Sequence, residues 1–287
     1  MKKIFLMLTI LVSTAMAAQT EKFEQRYNLL VSKLGPAGVG VETVLNNWAA
    51  VDSTDEKLLQ ARFDFYINKG MSTQVVTKSS RKYLGMDPIL SLKDSLGNPV
   101  YYFQENVFDD ELYTRALDVA QKAVSLYPDK LDFRFLKANA YIMYEKDSPD
   151  MALAYLISLA KEDASRERPW VFEGEKVDDA FFSDAMQEYC YSLYSIGSDN
   201  SLEAFRKLSE QMLELNPKCY AYMNNIGSYY LVAESDYKTA LKYYNKVLKK
   251  DPENVIALKN SAIAYRKLGK EKKAQEYQAR WRKAENK

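Results

Sequence analysis

From Glu21 almost to the end of the chain, apolar residues recur at steps of three and four, the spacing of an amphipathic helix. Phe23, Tyr27, Leu30, Val31 and Leu34 form one stripe, stopped by Gly35-Pro36, and Val41, Val44, Leu45 and Trp48 form the next. Ten further segments follow, predicted at 58–67, 109–127, 131–145, 150–161, 179–196, 201–215, 219–232, 237–249, 254–268 and 270–284. Ser53 and Glu56 have the spacing of a capping box before the first of these. A helix with one apolar stripe must bury it against a neighbour, and short turns make that neighbour the next helix in the chain. One helix pair cannot cover its own apolar faces, so the pairs must stack to make a core.

Within these segments residue types return at fixed offsets. Met223-x2-Ile226-Gly227-x2-Tyr230 precedes Ala240-x3-Tyr244-x2-Val247-x4-Pro252. Leu258-x2-Ser261-Ala262-x2-Tyr265 follows, then Gly269, Ala274 and Trp281. Earlier in the chain stand Ala116-x3-Ala120-x2-Ala123-x4-Pro128, Ala138-x2-Tyr141 and Ala152-x3-Leu156. A small residue lets the partner helix approach, and an aromatic one fills the space left between pairs. The pattern resembles the tetratricopeptide repeat over residues 54–284, most specifically over 220–284. Lys137 departs from it by replacing an apolar residue, and 181–217 fit only in a shifted register.

The resemblance implies an all-α fold, an α-solenoid of about six antiparallel helix pairs, with no catalytic residues and no cofactor. In this family the first helix of each pair lines a concave groove that receives a peptide or another protein. The groove residues implied here are Asn224, Asn225 and Ser228 in one repeat, and Lys259, Asn260, Arg266 and Lys267 in the next. Asn225 and Asn260 are equivalent positions, and their amides suit the backbone of an extended peptide.

Two stretches interrupt the repeats. The expected organisation is a signal peptide at 1–17, a degenerate helix pair at 18–53 and repeats at 54–161 interrupted by an insertion at 71–107. A loop insertion at 162–178 and C-terminal repeats at 179–287 complete it. In the first insertion, Ile89-Leu90-Ser91-Leu92 and Val100-Tyr101-Tyr102-Phe103 flank a turn at Gly97-Asn98, which predicts a small β-hairpin. So apolar a hairpin is expected to lie on the helices as a flap. Aromatic residues outside the repeat positions, Tyr101, Tyr102, Phe103, Trp170 and Phe172, support an alternative reading. They would form a surface that stacks on the sugars of a glycan or envelope polymer.

The N-terminus reads as an address. Lys2 and Lys3 precede an apolar run at 4–12, and Ala15-x-Ala17 supplies the small residues of a cleavage site. The run falls short of the roughly 20 residues a spanning helix needs, so a chain exported to the bacterial periplasm and cut near Ala17 is expected, not a membrane-spanning one. The chain has 40 Lys plus Arg, 39 Asp plus Glu and no His. That balance gives no electrostatic case for nucleic acid, and the lack of His removes imidazole metal sites and His-dependent nucleophiles. No metal site is expected. Residues 242–287 nevertheless carry 14 basic against 5 acidic residues, an asymmetry suited to orienting a partner or to self-association. Cys190 and Cys219, on first helices of neighbouring pairs, are read as buried small apolar residues at a spacing that disfavours a bridge. The expected function is an exported, non-catalytic scaffold for a protein or extended peptide.

Overall fold

The computed structural model describes residues 2–286, with side chains at 16 and from 18 onward. The apolar run at 4–12 and the cleavage site after 17 therefore lie outside the described side chains. Among the described residues there are twelve α-helices: α1 (Lys2–Leu34), α2 (Val41–Val51), α3 (Glu56–Gly70), α4 (Asp110–Leu126), α5 (Leu131–Glu145), α6 (Asp150–Ala164), α7 (Asp179–Ile196), α8 (Asp199–Leu215), α9 (Tyr220–Val232), α10 (Tyr237–Lys250), α11 (Val255–Lys267) and α12 (Glu271–Glu285). The fold is all-α, built of successive helix pairs with a few short strands.

Side-chain caps fix where several helices begin. The carboxylates of Asp109, Asp178 and Asp236 each accept a backbone N–H from the first turn, of Leu112, Phe181 and Thr239. Each such cap contributes about 1 kcal/mol. The expected capping box at Ser53 and Glu56 gives way to Asp55, whose carboxylate accepts from the backbone N–H of Lys57 and Leu58. A carboxylate beside two free N–H groups at the positive end of a helix is the stronger cap. Helix α8 likewise starts two residues early, because Ser198 caps it.

The contacts divide the chain into two compact units. The first holds residues 1–77, 104–140 and 170–176. Its N-terminal core joins Val41, Leu45 and Trp48 of α2 to Leu58, Ala61 and Phe65 of α3, with Phe23, Tyr27 and Leu30 of α1 packed against them. Helices α3 and α4 pair closely: a Cβ on Gly70 would lie 2.9 Å from the Leu112 Cβ, and Ala116, Ala120 and Ala123 are fully buried. Asp109 donates its N–H to the Gly70 carbonyl at 2.8 Å. The insertion thus leaves and re-enters the chain at one point, inside the turn of a helix pair.

The second unit holds residues 78–103, 141–169 and 177–287. Here α7 packs on α8, α9 on α10 and α11 on α12, while α8 meets α9 and α10 meets α11. The last two pairs share a core around Ala240, Tyr244, Val247, Leu258 and Tyr265. Gly227 lets α9 reach α10, since a Cβ there would fall 2.6 Å from the Tyr244 Cε1. The small and aromatic positions of the sequence pattern therefore meet in space.

The insertions form two small sheets. Strands β1 (Met71–Lys78), β2 (Leu90–Lys93) and β3 (Pro99–Phe108) lie in the order β1-β3-β2, with Leu90 opposite Tyr102 and Lys93 opposite Pro99 in an antiparallel pair. The predicted hairpin is β2–β3; β1 was not visible in the sequence, because Ser72-Thr73-Gln74 breaks any apolar alternation. The turn is organised by Asp94, whose carboxylate accepts from Leu96 and Asn98 backbone N–H groups and from the Asn98 amide. Those bonds, the Asn98 side chain first, hold the Asp94 carboxyl below its usual range. In the second unit the loop before β2 lies on α7, for a Cβ at Gly85 would meet the Ser195 carbonyl at 2.0 Å. A smaller hairpin, β4 (Val171–Phe172) with β5 (Glu175–Lys176), belongs to the first unit.

Candidate functional site

The amides proposed for a groove are placed elsewhere by the structure. Asn225 on α9 is buried. Its amide donates to Gln187 Oε1 at 2.9 Å and to Ser209 Oγ at 3.2 Å, and the Gln187 amide donates back at 3.0 Å. Asn225 therefore ties α9 to both helices of the preceding pair. Asn260, half-buried one repeat later, donates to Ser228 Oγ at 3.1 Å, and Ser228 donates to the Asn224 carbonyl at 2.9 Å. Asn224, also buried, donates to Asn254 Oδ1 at 3.0 Å, and Asn254 itself caps α11.

In this structure Asn224, Asn225 and Asn260 act as staples between neighbouring helices. An amide at a helix junction carries both donor and acceptor, and neighbouring groups engage the donors here, while Asn224 Oδ1 stays buried with no partner among the described residues. Lys259, Arg266 and Lys267 do stay exposed. The Lys259 ammonium sits 5.5 Å from the Trp281 ring, and Arg266 donates to the Gln278 carbonyl oxygen at 2.9 Å. Replacing Asn225 by alanine strands Gln187 and Ser209, so it is expected to lower stability by about 1–3 kcal/mol in urea denaturation.

Next to this junction Ser209 donates to Cys190 Sγ at 3.5 Å. Burial pushes the Cys190 thiol up to about 12, and both cysteines are free.

The aromatics read as a sugar platform are also largely occupied. Trp170 is 3% exposed, with the Arg134 guanidinium 4.7 Å from its ring centre. Phe172 packs on Phe135 at 5.9 Å. The backbone around them is sewn to the start of α5: Val171 donates to the Asp129 carbonyl, and Glu173 donates to the Asp132 carboxylate. Phe103 is buried edge-on to Tyr83, while Tyr101 and Tyr102 are half-buried on β3. Trp170 and Phe103 are thereby corrected to core residues, because large rings on small insertions such as these are stable only when covered.

A different site lies in the first unit. A cleft of about 290 Å³ is lined by Glu24, Tyr27 and Asn28 of α1, by Glu56, Lys57, Gln60, Ala61 and Asp64 of α3, by Asp132 and Phe133 of α5, and by Trp48. Its polar row was readable in principle: Glu56, Gln60 and Asp64 stand four residues apart, on one helical face. The apolar stripe of the same helix is the stronger signal in the sequence.

Lys57 bonds Glu24 at 2.7 Å, and Lys130 pairs with Glu56. Asp64 has only the Gln60 amide, at 3.1 and 3.2 Å. Burial raises the Asp64 carboxyl above its usual range, more than that amide lowers it. Tyr27 is pushed up to about 12, by burial first and then by the Asp64 charge. The Trp48 indole N–H and Asp132 Oδ2 are buried with no hydrogen-bond partner among the described residues. Among the described residues, no three His, Cys, Asp or Glu side chains converge as a metal site.

The Asp64 shift has a direct consequence for stability. Because its folded value lies above the unfolded one, the native state binds the extra proton between the two, and stability falls as pH rises through that window. Asp64→Asn removes this cost. The variant is therefore expected to melt higher than the wild type at pH 7, with the gap closing below about pH 3.8, the ordinary value of the group.

Comparison with known proteins bears on the C-terminal end. Residues 231–287 match the tetratricopeptide repeat family. Stress-induced-phosphoprotein 1 of Caenorhabditis elegans is 37% identical over 67 residues, 23% of this chain, and the match spans only 21% of that protein's length. Among solved structures, MamA protein is 15% identical with a TM-score of 0.40, covering 62% of this chain and 85% of MamA. The P58(IPK) TPR domain is 14% identical with a TM-score of 0.32, covering 94% of this chain and 66% of that domain. The match over 231–287, together with the helix pairs and the Gly227–Tyr244 contact there, shows a tetratricopeptide repeat at the C-terminal end of this chain.

Proposed function

We propose that the chain is a non-catalytic scaffold that holds a protein or an extended peptide against the first-helix face of its early pairs. One observation carries this reading. The cleft is lined chiefly by α1, α3 and α5, the first helices of three successive pairs, and it keeps polar groups that no described residue satisfies. Buried polar atoms without partners cost free energy, so a surface that retains them is built for something that supplies the missing partners. The cleft replaces the Asn225–Asn260 surface as the binding face, since those amides are spent on stacking.

Export to the periplasm is part of the same proposal. It is supported by Lys2-Lys3, the apolar run at 4–12 and Ala15-x-Ala17. Among the described residues no helix is long and apolar enough to cross a membrane. N-terminal sequencing of the protein from an envelope fraction is expected to start at Ala18.

The binding face is tested by a photoreactive amino acid placed at Gln60 on the cleft, with Lys242 on the exposed side of α10 as the comparison. A cross-linked polypeptide from position 60 and none from position 242 is the expected result. A product from 242 alone would place the binding face elsewhere.

A further inference from the structure

The charges of the cleft do not balance, and the residues left over are specific. Four carboxylates line it, Glu24, Glu56, Asp64 and Asp132, against a single lysine. Lys57 neutralises Glu24, and Lys130 neutralises Glu56 from the side. Among the described residues, Asp64 and Asp132 remain without a cation. Asp132 accepts the Glu173 backbone N–H through Oδ1 at 3.0 Å, while its Oδ2 is buried and unpartnered.

Independently, Trp48 is 1% exposed, yet its indole N–H has no acceptor. The wall thus lacks a cation for two acids and a carbonyl for one donor. Tyr27 and Phe133 add aromatic rings, which favour a neighbouring cation. A metal ion suits the site poorly, because among the described residues the acids do not converge as ligands. The volume, about 290 Å³, falls at the small end of ligand pockets, the scale of one side chain.

We propose that this cleft seats a lysine or arginine side chain of the bound peptide, with Asp64 and Asp132 taking the cation and the Trp48 N–H taking a peptide carbonyl. The assignment rests on the scaffold reading and narrows it: the partner presents a basic residue to the face made by α1, α3 and α5. The burial that raises the Asp64 carboxyl fits this role, since a bound cation restores the interactions the carboxylate has lost.

The test uses the ¹⁵N-labelled protein and two small probes, N-acetyl-lysine methylamide and its norleucine counterpart. The chain has three tryptophans, so the Trp48 indole N–H is one of few signals to assign. The lysine probe is expected to shift that resonance, and the norleucine probe to bind at least about tenfold more weakly. Asp64→Asn and Asp132→Asn are each expected to weaken the lysine probe by about tenfold, with the helical circular dichroism unchanged. The fold should tolerate both: an asparagine at 64 still accepts from the Gln60 amide, and one at 132 still accepts from Glu173.

An unmoved Trp48 signal, equal shifts from both probes, or unaltered binding in both variants would overturn the proposal. A polypeptide cross-linked at Gln60 while the lysine probe fails would overturn the cation assignment and leave the scaffold reading standing. Loss of that cross-link with the lysine probe still bound would do the reverse.

Discussion

Replacing Gly227 by alanine is expected to destabilise the C-terminal pairs by about 1–2 kcal/mol, against the usual helical preference for alanine. Propensity alone favours the change by about 1 kcal/mol. The new methyl group, however, would lie 2.6, 3.0 and 3.1 Å from three atoms of the Tyr244 ring. Tyr244 is fully buried, and its hydroxyl sits 3.3 Å from Ser228 Oγ, so the ring cannot swing away without losing that contact. Overpacking of this kind costs about 1–3 kcal/mol and outweighs the gain. Stacked repeats need not unfold in one step, so the effect is best read as faster amide exchange in α9 and α10. A Tyr244→Leu background removes the clashing ring atoms. There, the same Gly227→Ala change should cost less, and a cost equal in both backgrounds would detach the glycine from the tyrosine.

Trp170→Ala is expected to cost about 3–5 kcal/mol of stability in the first unit, the usual effect of emptying a buried tryptophan site. The substitution also uncovers the Arg134 guanidinium, 4% exposed, which lies over that ring. Urea denaturation of the two proteins measures it directly. Were Trp170 a platform for sugar, the substitution would leave the midpoint in place and abolish binding alone. A midpoint shift of the expected size therefore assigns this residue to the attachment of the 162–178 insertion on α5.

Most of the helical architecture was legible because its determinants are local and periodic. The stripes of α2, α4 and α10 name their own buried faces, and caps such as Asp109, Asp178 and Asn254 stand next to the turns they set. Gly227 and Tyr244 could be paired by offset before any coordinates, since the repeat fixes where each helix meets the next.

What escaped the sequence depends on partners far along the chain. Asn225 and Asn260 have the composition of a peptide-binding face, and only the placement of Gln187, Ser209 and Ser228 shows those amides to be engaged. Trp170 has the composition of a binding aromatic until Arg134 is seen across it. The cleft was missed for the converse reason: it draws on α1, α2, α3 and α5, and no single segment holds enough of it to register as a motif. Strand β1 has no apolar alternation of its own and owes its form to pairing with β3.

Hydrogen exchange of the protein with and without a captured polypeptide tests most directly the proposal that the early pairs hold the partner. Protection is expected at residues 20–28, 56–64 and 131–137, the stretches of α1, α3 and α5 that carry Glu24, Asp64 and Asp132. Protection confined to the strands at 89–103, to 162–177 or to the exposed side of α10 would contradict it.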